Sequence, residues 1–153
     1  MKKNLFLMAF LLCCLAVFAQ EKKIAVGIAP EWNMNSRYYF AGGVGLNIDH
    51  RLPINGAIGL NITASTNFAA IKTLEAAATF RVYSPEQIYS GAFADIDLGL
   101  FLFFENQTIT PYPLVGFKGG YRKLLGSSFY IEPYGRIGYP FAFGFGIMAG
   151  LCF

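Results

Sequence analysis

The sequence predicts an all-β protein: an eight-stranded antiparallel up-and-down barrel that crosses a membrane with its strands. Three observations lead there. Beyond residue 23 the chain alternates apolar and polar positions with period two, the period of a strand and not of a helix. Most alternating runs are about 10 to 13 residues long, against five or six in an ordinary sheet, and a tilted strand needs about 9–11 to span a bilayer. Charged residues are 14% of the chain while hydrophobic residues are 55%, with 17 glycines; about 25% charged is usual.

The elements follow in order. Met1 to Gln20 has the layout of a secretory signal, with Lys2 and Lys3 as its basic start, Leu5 to Phe18 as its apolar stretch and cleavage expected after Ala19. Residues 1–19 are thus expected to be removed and 20–153 to form the barrel. The apolar stretch is too short for a comfortable helical span, and Leu12 before Cys13 is not the small residue that a lipoprotein site favours. Only Cys152 then remains, which excludes an intramolecular disulfide.

The first strand is Ile24 to Trp32, with Ile24, Val26 and Ile28 on one side. Phe40 to Asp49, Ala57 to Thr66, Leu74 to Val82 and Ala92 to Leu102 follow, all with apolar even positions. Beyond Asn106 the parity switches: Val115 to Arg122, Phe129 to Ile137 and Phe143 to Phe153 carry apolar residues at odd positions. Turn chemistry separates the runs, as in Pro53-Ile54-Asn55-Gly56, Ser84-Pro85-Glu86 and Leu125-Gly126-Ser127-Ser128. The break at Asn67 to Lys72 is the least distinct. Pro133 inside a strand predicts a bulge, whereas Pro111 and Pro113 fit a rim.

A soluble lipocalin-like barrel has the same period with its apolar face inward, so facing needs separate evidence. Nine charges lie on the polar parity: Asp49, Glu75, Arg81, Asp95, Asp97, Lys118, Arg122, Glu132 and Arg136. Five acids and four bases suit a lumen closed by a paired network; a water-facing wall would carry many more. Ten glycines, among them Gly27, Gly144, Gly146 and Gly150, share that parity. Inside a narrow barrel they make room for arginine and tyrosine. Aromatics near strand ends (Trp32, Tyr38, Tyr39, Phe68, Tyr83, Tyr89, Phe103, Phe104, Tyr112, Tyr139 and Phe141) predict two girdles at the lipid boundaries.

Phe145, Ile147, Ala149, Leu151 and Phe153 alternate to the last residue. This resembles the C-terminal strand of bacterial outer-membrane barrels, and residues 20–153 together resemble the small eight-stranded OmpA/OmpX-type barrels. The resemblance implies an outer-membrane location, contact with outer-membrane lipid and insertion by the barrel-assembly machinery through those five residues. It implies no single function, since such barrels serve as anchors, adhesins, lipid-modifying enzymes or narrow pores. By the usual topology the exterior loops fall near 33–37, 67–72, 105–110 and 139–142, all short.

No phosphate loop, metal cluster or nucleophile motif is present, so no cofactor, metal or catalytic residue is expected. A net charge of +3, two units of it on Lys2 and Lys3, is no footprint for nucleic acid. His50, the sole histidine, ends the second strand beside Arg51 without a serine at a suggestive spacing. Asp95 and Asp97 share a face about 6–7 Å apart, where Arg81, Lys118, Arg122 or Arg136 is expected to neutralise them, with calcium or magnesium binding as the alternative. The sequence reading is a monomeric outer-membrane barrel with a side-chain-filled lumen and a structural or interaction role in the cell envelope. Its alternatives are a narrow pore or carrier of a small apolar ligand, a lipid-modifying enzyme, and a soluble lipocalin-like barrel.

Overall fold

The structure is a computed structural model that describes residues 23–35, 40–69, 71–84, 90–105 and 108–153. The expected signal peptide, 1–19, lies outside the described residues. Eight strands follow one another: β1 (Ile24–Met34), β2 (Ala41–Arg51), β3 (Gly56–Thr66), β4 (Lys72–Tyr83), β5 (Gly91–Glu105), β6 (Thr108–Leu125), β7 (Phe129–Tyr139) and β8 (Phe143–Cys152). Each pairs antiparallel with its neighbours in the chain, and β1 pairs with β8 to close the barrel. The chain ends are stitched together by Ile24 N–H donating to the Phe153 carbonyl and Phe153 N–H donating to the Ile24 carbonyl. At the β6–β7 turn Gly126 has φ of 76°, a left-handed conformation that glycine adopts without strain.

Interior positions are odd-numbered on β1 to β5 and even-numbered on β6 to β8. The switch falls between β5 and β6, where the alternation of the sequence changes phase. Among the described residues ten charged side chains are buried: Glu31, Asp49, Glu75, Arg81, Asp95, Asp97, Lys118, Arg122, Glu132 and Arg136. Thirty large hydrophobic residues among those described are exposed, Leu60 at 59% and Leu98 at 56% among them. This inverts a water-soluble protein, whose apolar patches seldom exceed a few hundred Å². The apolar parity is the outer wall, so a soluble barrel with an apolar cavity is overturned.

The interior is asymmetric. β1, β2, β3 and β8 line it mainly with small residues, whereas β4 to β7 send in Arg81, Tyr83, Phe93, Phe101, Lys118, Arg122, Tyr130, Tyr134 and Arg136. A Cβ at Gly146 would stand 2.6 Å from the Tyr134 hydroxyl, and one at Gly144 would stand 2.9 Å from Arg136 Cγ. These glycines are the space that the large side chains of β7 occupy, as close packing requires.

Two expectations need correction. Pro133 makes no bulge: Gly120↔Tyr134 and Lys123↔Ile131 keep the same register on either side of it, and Pro133 stays opposite Ile147 of β8. The β6–β7 ladder instead skips Tyr121 and Arg122, so the missing N–H of proline costs rungs rather than a residue. The β1–β8 ladder likewise skips Ala29 and Pro30. The aromatic girdles are also incomplete. Trp32, Phe68 and Tyr139 are exposed, but Tyr83, Phe103 and Phe141 are buried inside, and Phe104 and Tyr112 are half-buried. Tyr38, Tyr39 and Tyr89 lie outside the described residues. Inward aromatics close the mouths of the barrel, a demand that strand-end position alone does not separate from facing lipid.

The β5–β6 hairpin is longer than the rest. β6 pairs with β5 from Thr108, but its pairing with β7 begins only at Val115. Residues 108–114 therefore extend beyond the β6–β7 ladder at the end opposite the termini, and Pro111 and Pro113 lie in that extension.

Candidate functional site

The candidate site is the barrel interior, where the charged residues form a layer bounded by apolar clusters. Along β5 the inward positions run Phe93, Asp95, Asp97, Gly99, Phe101, Phe103, so the carboxylates sit between aromatic rings in the sequence itself. At the termini end Ala57, Tyr83, Phe93, Tyr130, Met148 and Cys152 pack together; at the far end Ala41, Ile71, Phe101, Phe103, Leu114 and Phe141 do so.

Within the layer two networks can be traced. The first centres on Arg81. Its Nε and Nη2 reach the two oxygens of Asp95, both at 2.7 Å, a bidentate fork. Its Nη1 and Nη2 donate to Glu132 at 2.9 and 3.0 Å, and Nη1 lies 3.3 Å from Asp49. Arg122 bonds Glu132 through Nε and Asp49 through Nη2, the latter at 3.0 Å. Lys118 Nζ stands 3.4 Å from Asp95 and 3.8 Å from Asp97, whose other oxygen accepts from Thr79 Oγ1 at 2.8 Å. The guanidiniums of Arg81 and Arg122 also lie over the rings of Phe93 and Tyr130, each 4.1 Å from the centroid. The cations thus bind the carboxylates on one side and the apolar cluster on the other.

The second network centres on Arg136, which donates from Nη1 to Glu31 at 2.7 Å and from Nη2 to Glu75 at 2.6 Å, with its Cζ 3.8 Å from the Phe141 ring centroid. Tyr134 Oη donates to the other Glu31 oxygen at 2.6 Å, and Asn33 Nδ2 donates to Glu31 Oε1 at 2.8 Å.

All nine charged residues singled out in the sequence lie in this interior. Glu31 is the tenth, and the sequence reading missed it. The signal was available, since Ala25, Gly27, Ala29 and Glu31 continue one parity along β1. The reading followed only the Ile24, Val26 and Ile28 side of that strand and left the opposite parity unassigned. With Glu31 the interior holds six acids and four bases, not five and four.

His50 is elsewhere. It is exposed on the outer wall, at a groove of about 720 Å³ whose other walls are Ile48, Ile58, Leu60, Phe80, Ile96 and Leu98. Neither network includes it. Among the described residues no group of three or more histidine, cysteine, aspartate or glutamate side chains is arranged to hold a metal ion. Asp95 and Asp97 are held by Arg81, Lys118 and Thr79. Of the five residues of the C-terminal pattern, Phe145, Ile147 and Leu151 are exposed on the outer wall and Ala149 and Phe153 are half-buried.

The closed eight-stranded barrel has solved counterparts. The crystal structure of Neisserial surface protein A (NspA) superposes with a TM-score of 0.58 at 11% identity, covering 84% of this chain and 94% of that one. The N-terminal β-barrel domain of Pseudomonas aeruginosa OprF superposes with a TM-score of 0.53 at 12% identity, covering 84% and 97%. The likeness is one of fold. It agrees with the resemblance to small eight-stranded outer-membrane barrels that the sequence carries. No protein-family model matches the chain, and no curated protein does.

Proposed function

We propose that this chain is an integral barrel of a bacterial outer membrane, with a structural or interaction role in the cell envelope and no catalytic one. One observation carries the reading: an apolar outer wall encloses ten buried charges that lie between two apolar clusters. An eight-stranded barrel is just wide enough for its own side chains, and here they are tied to one another. The interior carboxylates are engaged by arginine, lysine and hydroxyl groups, and His50 sits apart on the outer wall, which disfavours a lipid-modifying enzyme. The loops beyond the far end are short, so an interaction partner would meet the barrel rim or the membrane-embedded wall. Export through residues 1–19, insertion by the barrel-assembly machinery through the strand ending at Phe153, and a monomeric state complete the proposal.

The test is fractionation of expressing cells, followed by a denaturing gel of the outer-membrane fraction with and without boiling, and recording in planar bilayers. The expected result is a faster band in the unboiled lane and no steady conductance. A freely soluble periplasmic product would refute the location. A stable open level would refute the closed lumen and favour the narrow pore.

A further inference from the structure

The wall formed by β2, β3 and β4 towards the far end of the barrel is lined by oxygen atoms that the ionic networks leave unused. Thr63 is opposite Glu75 across β3–β4 and opposite Gly45 across β2–β3; Ser65 is opposite Thr73 and Gly43. All four oxygen-bearing side chains point inward, and each is at most 6% exposed. Among the described residues, Thr63 Oγ1, Ser65 Oγ, Thr73 Oγ1 and Glu75 Oε1 have no hydrogen-bond partner. The Thr63 hydroxyl stands only 3.0 Å from where a Cβ at Gly45 would be, so the glycines of β2 leave the space into which these hydroxyls project.

The charge count of the Arg136 network gives a second, independent indication. Glu31 and Glu75 share the single guanidinium of Arg136, two negative charges against one positive. Glu31 is satisfied at both oxygens by Arg136, Tyr134 and Asn33. Glu75 gives Oε2 to Arg136 and has Oε1 left over. A buried carboxylate oxygen without a partner is costly, and with both carboxylates ionised this network carries one negative unit in excess.

We propose that Glu75, Thr63, Ser65 and Thr73 form a binding site for a single alkali-metal cation of the sodium class inside the barrel. The ligand chemistry is that of a hard cation, one carboxylate and three hydroxyl oxygens with no nitrogen or sulfur. The charge deficit matches one positive unit, whereas a calcium site ordinarily collects several carboxylates. The cation would neutralise Glu75 and hold β3 and β4 to one geometry at the end of the barrel where the β5–β6 hairpin projects.

The experiment measures urea unfolding of the full barrel in detergent micelles at constant ionic strength, exchanging choline chloride for sodium chloride. Binding to the folded state alone divides the unfolding constant by one plus the ratio of ligand to dissociation constant, so sodium at ten times half-saturation lowers it roughly elevenfold. That saturable dependence is expected in the wild type and absent in Glu75→Gln, which should still fold because Arg136 keeps Glu31. Thr73→Val keeps the carboxylate and removes one ligand, and should raise the half-saturating concentration. Sodium-23 line broadening should titrate over the same range with wild-type protein and vanish with Glu75→Gln. Equal unfolding in choline and sodium would overturn the proposal, as would a sodium effect retained in Glu75→Gln. Stabilisation by micromolar calcium without a sodium effect would overturn it as well.

Discussion

Replacing Arg81 by methionine should be the most informative single change in the barrel interior. Arg81 is fully buried and contacts three carboxylates: Asp95 by a two-point fork, Glu132 by two bonds, and Asp49 at 3.3 Å. Three lost ion pairs suggest three full penalties, but the remaining contacts leave one. Asp95 keeps Lys118 at 3.4 Å, Asp49 keeps Arg122 at 3.0 Å, and Glu132 keeps its bond from Arg122. The network of Asp49, Asp95, Asp97 and Glu132 with Arg81, Arg122 and Lys118 passes from one net negative charge to two. Removing one partner of a buried pair costs about 3–5 kcal/mol, and that range is the expected loss. Adding Asp95→Asn restores the original net charge and leaves Lys118 with Asp97, so the double variant should be more stable than Arg81→Met, with a coupling of about 1–3 kcal/mol. The assay is equilibrium urea unfolding in micelles, followed by fluorescence of Trp32, the sole tryptophan. An unchanged midpoint in Arg81→Met, or a double variant weaker than the single one, would refute the view that the interior is held by charge compensation.

Three further outcomes are expected. Leu98→Arg places a cation on the outer wall opposite Val115 and Ala78 and should cost about 2–4 kcal/mol if that position is near the bilayer midplane; refolding yield into vesicles reads it. Gly146→Ala sets a methyl group against Tyr134 and should lose about 1–3 kcal/mol by overpacking, seen as a lower unfolding midpoint. Replacing Pro111 and Pro113 together by threonine restores two donors in the extension of β6 beyond the β6–β7 ladder and should promote edge-to-edge association, measured as a new larger species by size-exclusion chromatography in detergent.

Strand number, order and facing were legible because each depends on local period. A residue such as Leu98 or Lys118 declares its side of the wall through its immediate neighbours, and the change of phase between β5 and β6 is visible as two successive stretches with opposite parity. What the interior does with its residues was less legible. Glu31 lay within the expected first strand, but on the parity that was not followed there. That Arg81 takes three carboxylates while Arg136 takes Glu31 and Glu75 depends on how far each side chain reaches across the lumen, and reach is not periodic. The girdles failed for another reason: strand-end position was weighed without parity, although Tyr83 and Phe103 stand at odd, inward positions of β4 and β5. At Pro133 the sequence revealed the conflict but not its resolution, because a skipped rung and an inserted residue both relieve a missing donor.

The division of the interior into a wall of small residues and a wall of large ones has a consequence for how the barrel forms. Tyr134 and Arg136 of β7 reach Glu31 of β1, across 103 and 105 residues of chain. Gly144 and Gly146, which make room for Arg136 and Tyr134 of β7, lie on β8, the last strand. A nascent sheet of β1 to β6 therefore lacks Tyr130, Tyr134 and Arg136, and its acids Glu31 and Glu75 await Arg136. Contacts this distant in sequence carry a large loop-closure cost before they return any stability. Closing the seam between β8 and β1 and completing the core are thus a single event, so a chain interrupted before β8 should accumulate as an open sheet with unpaired charges and not as a smaller barrel.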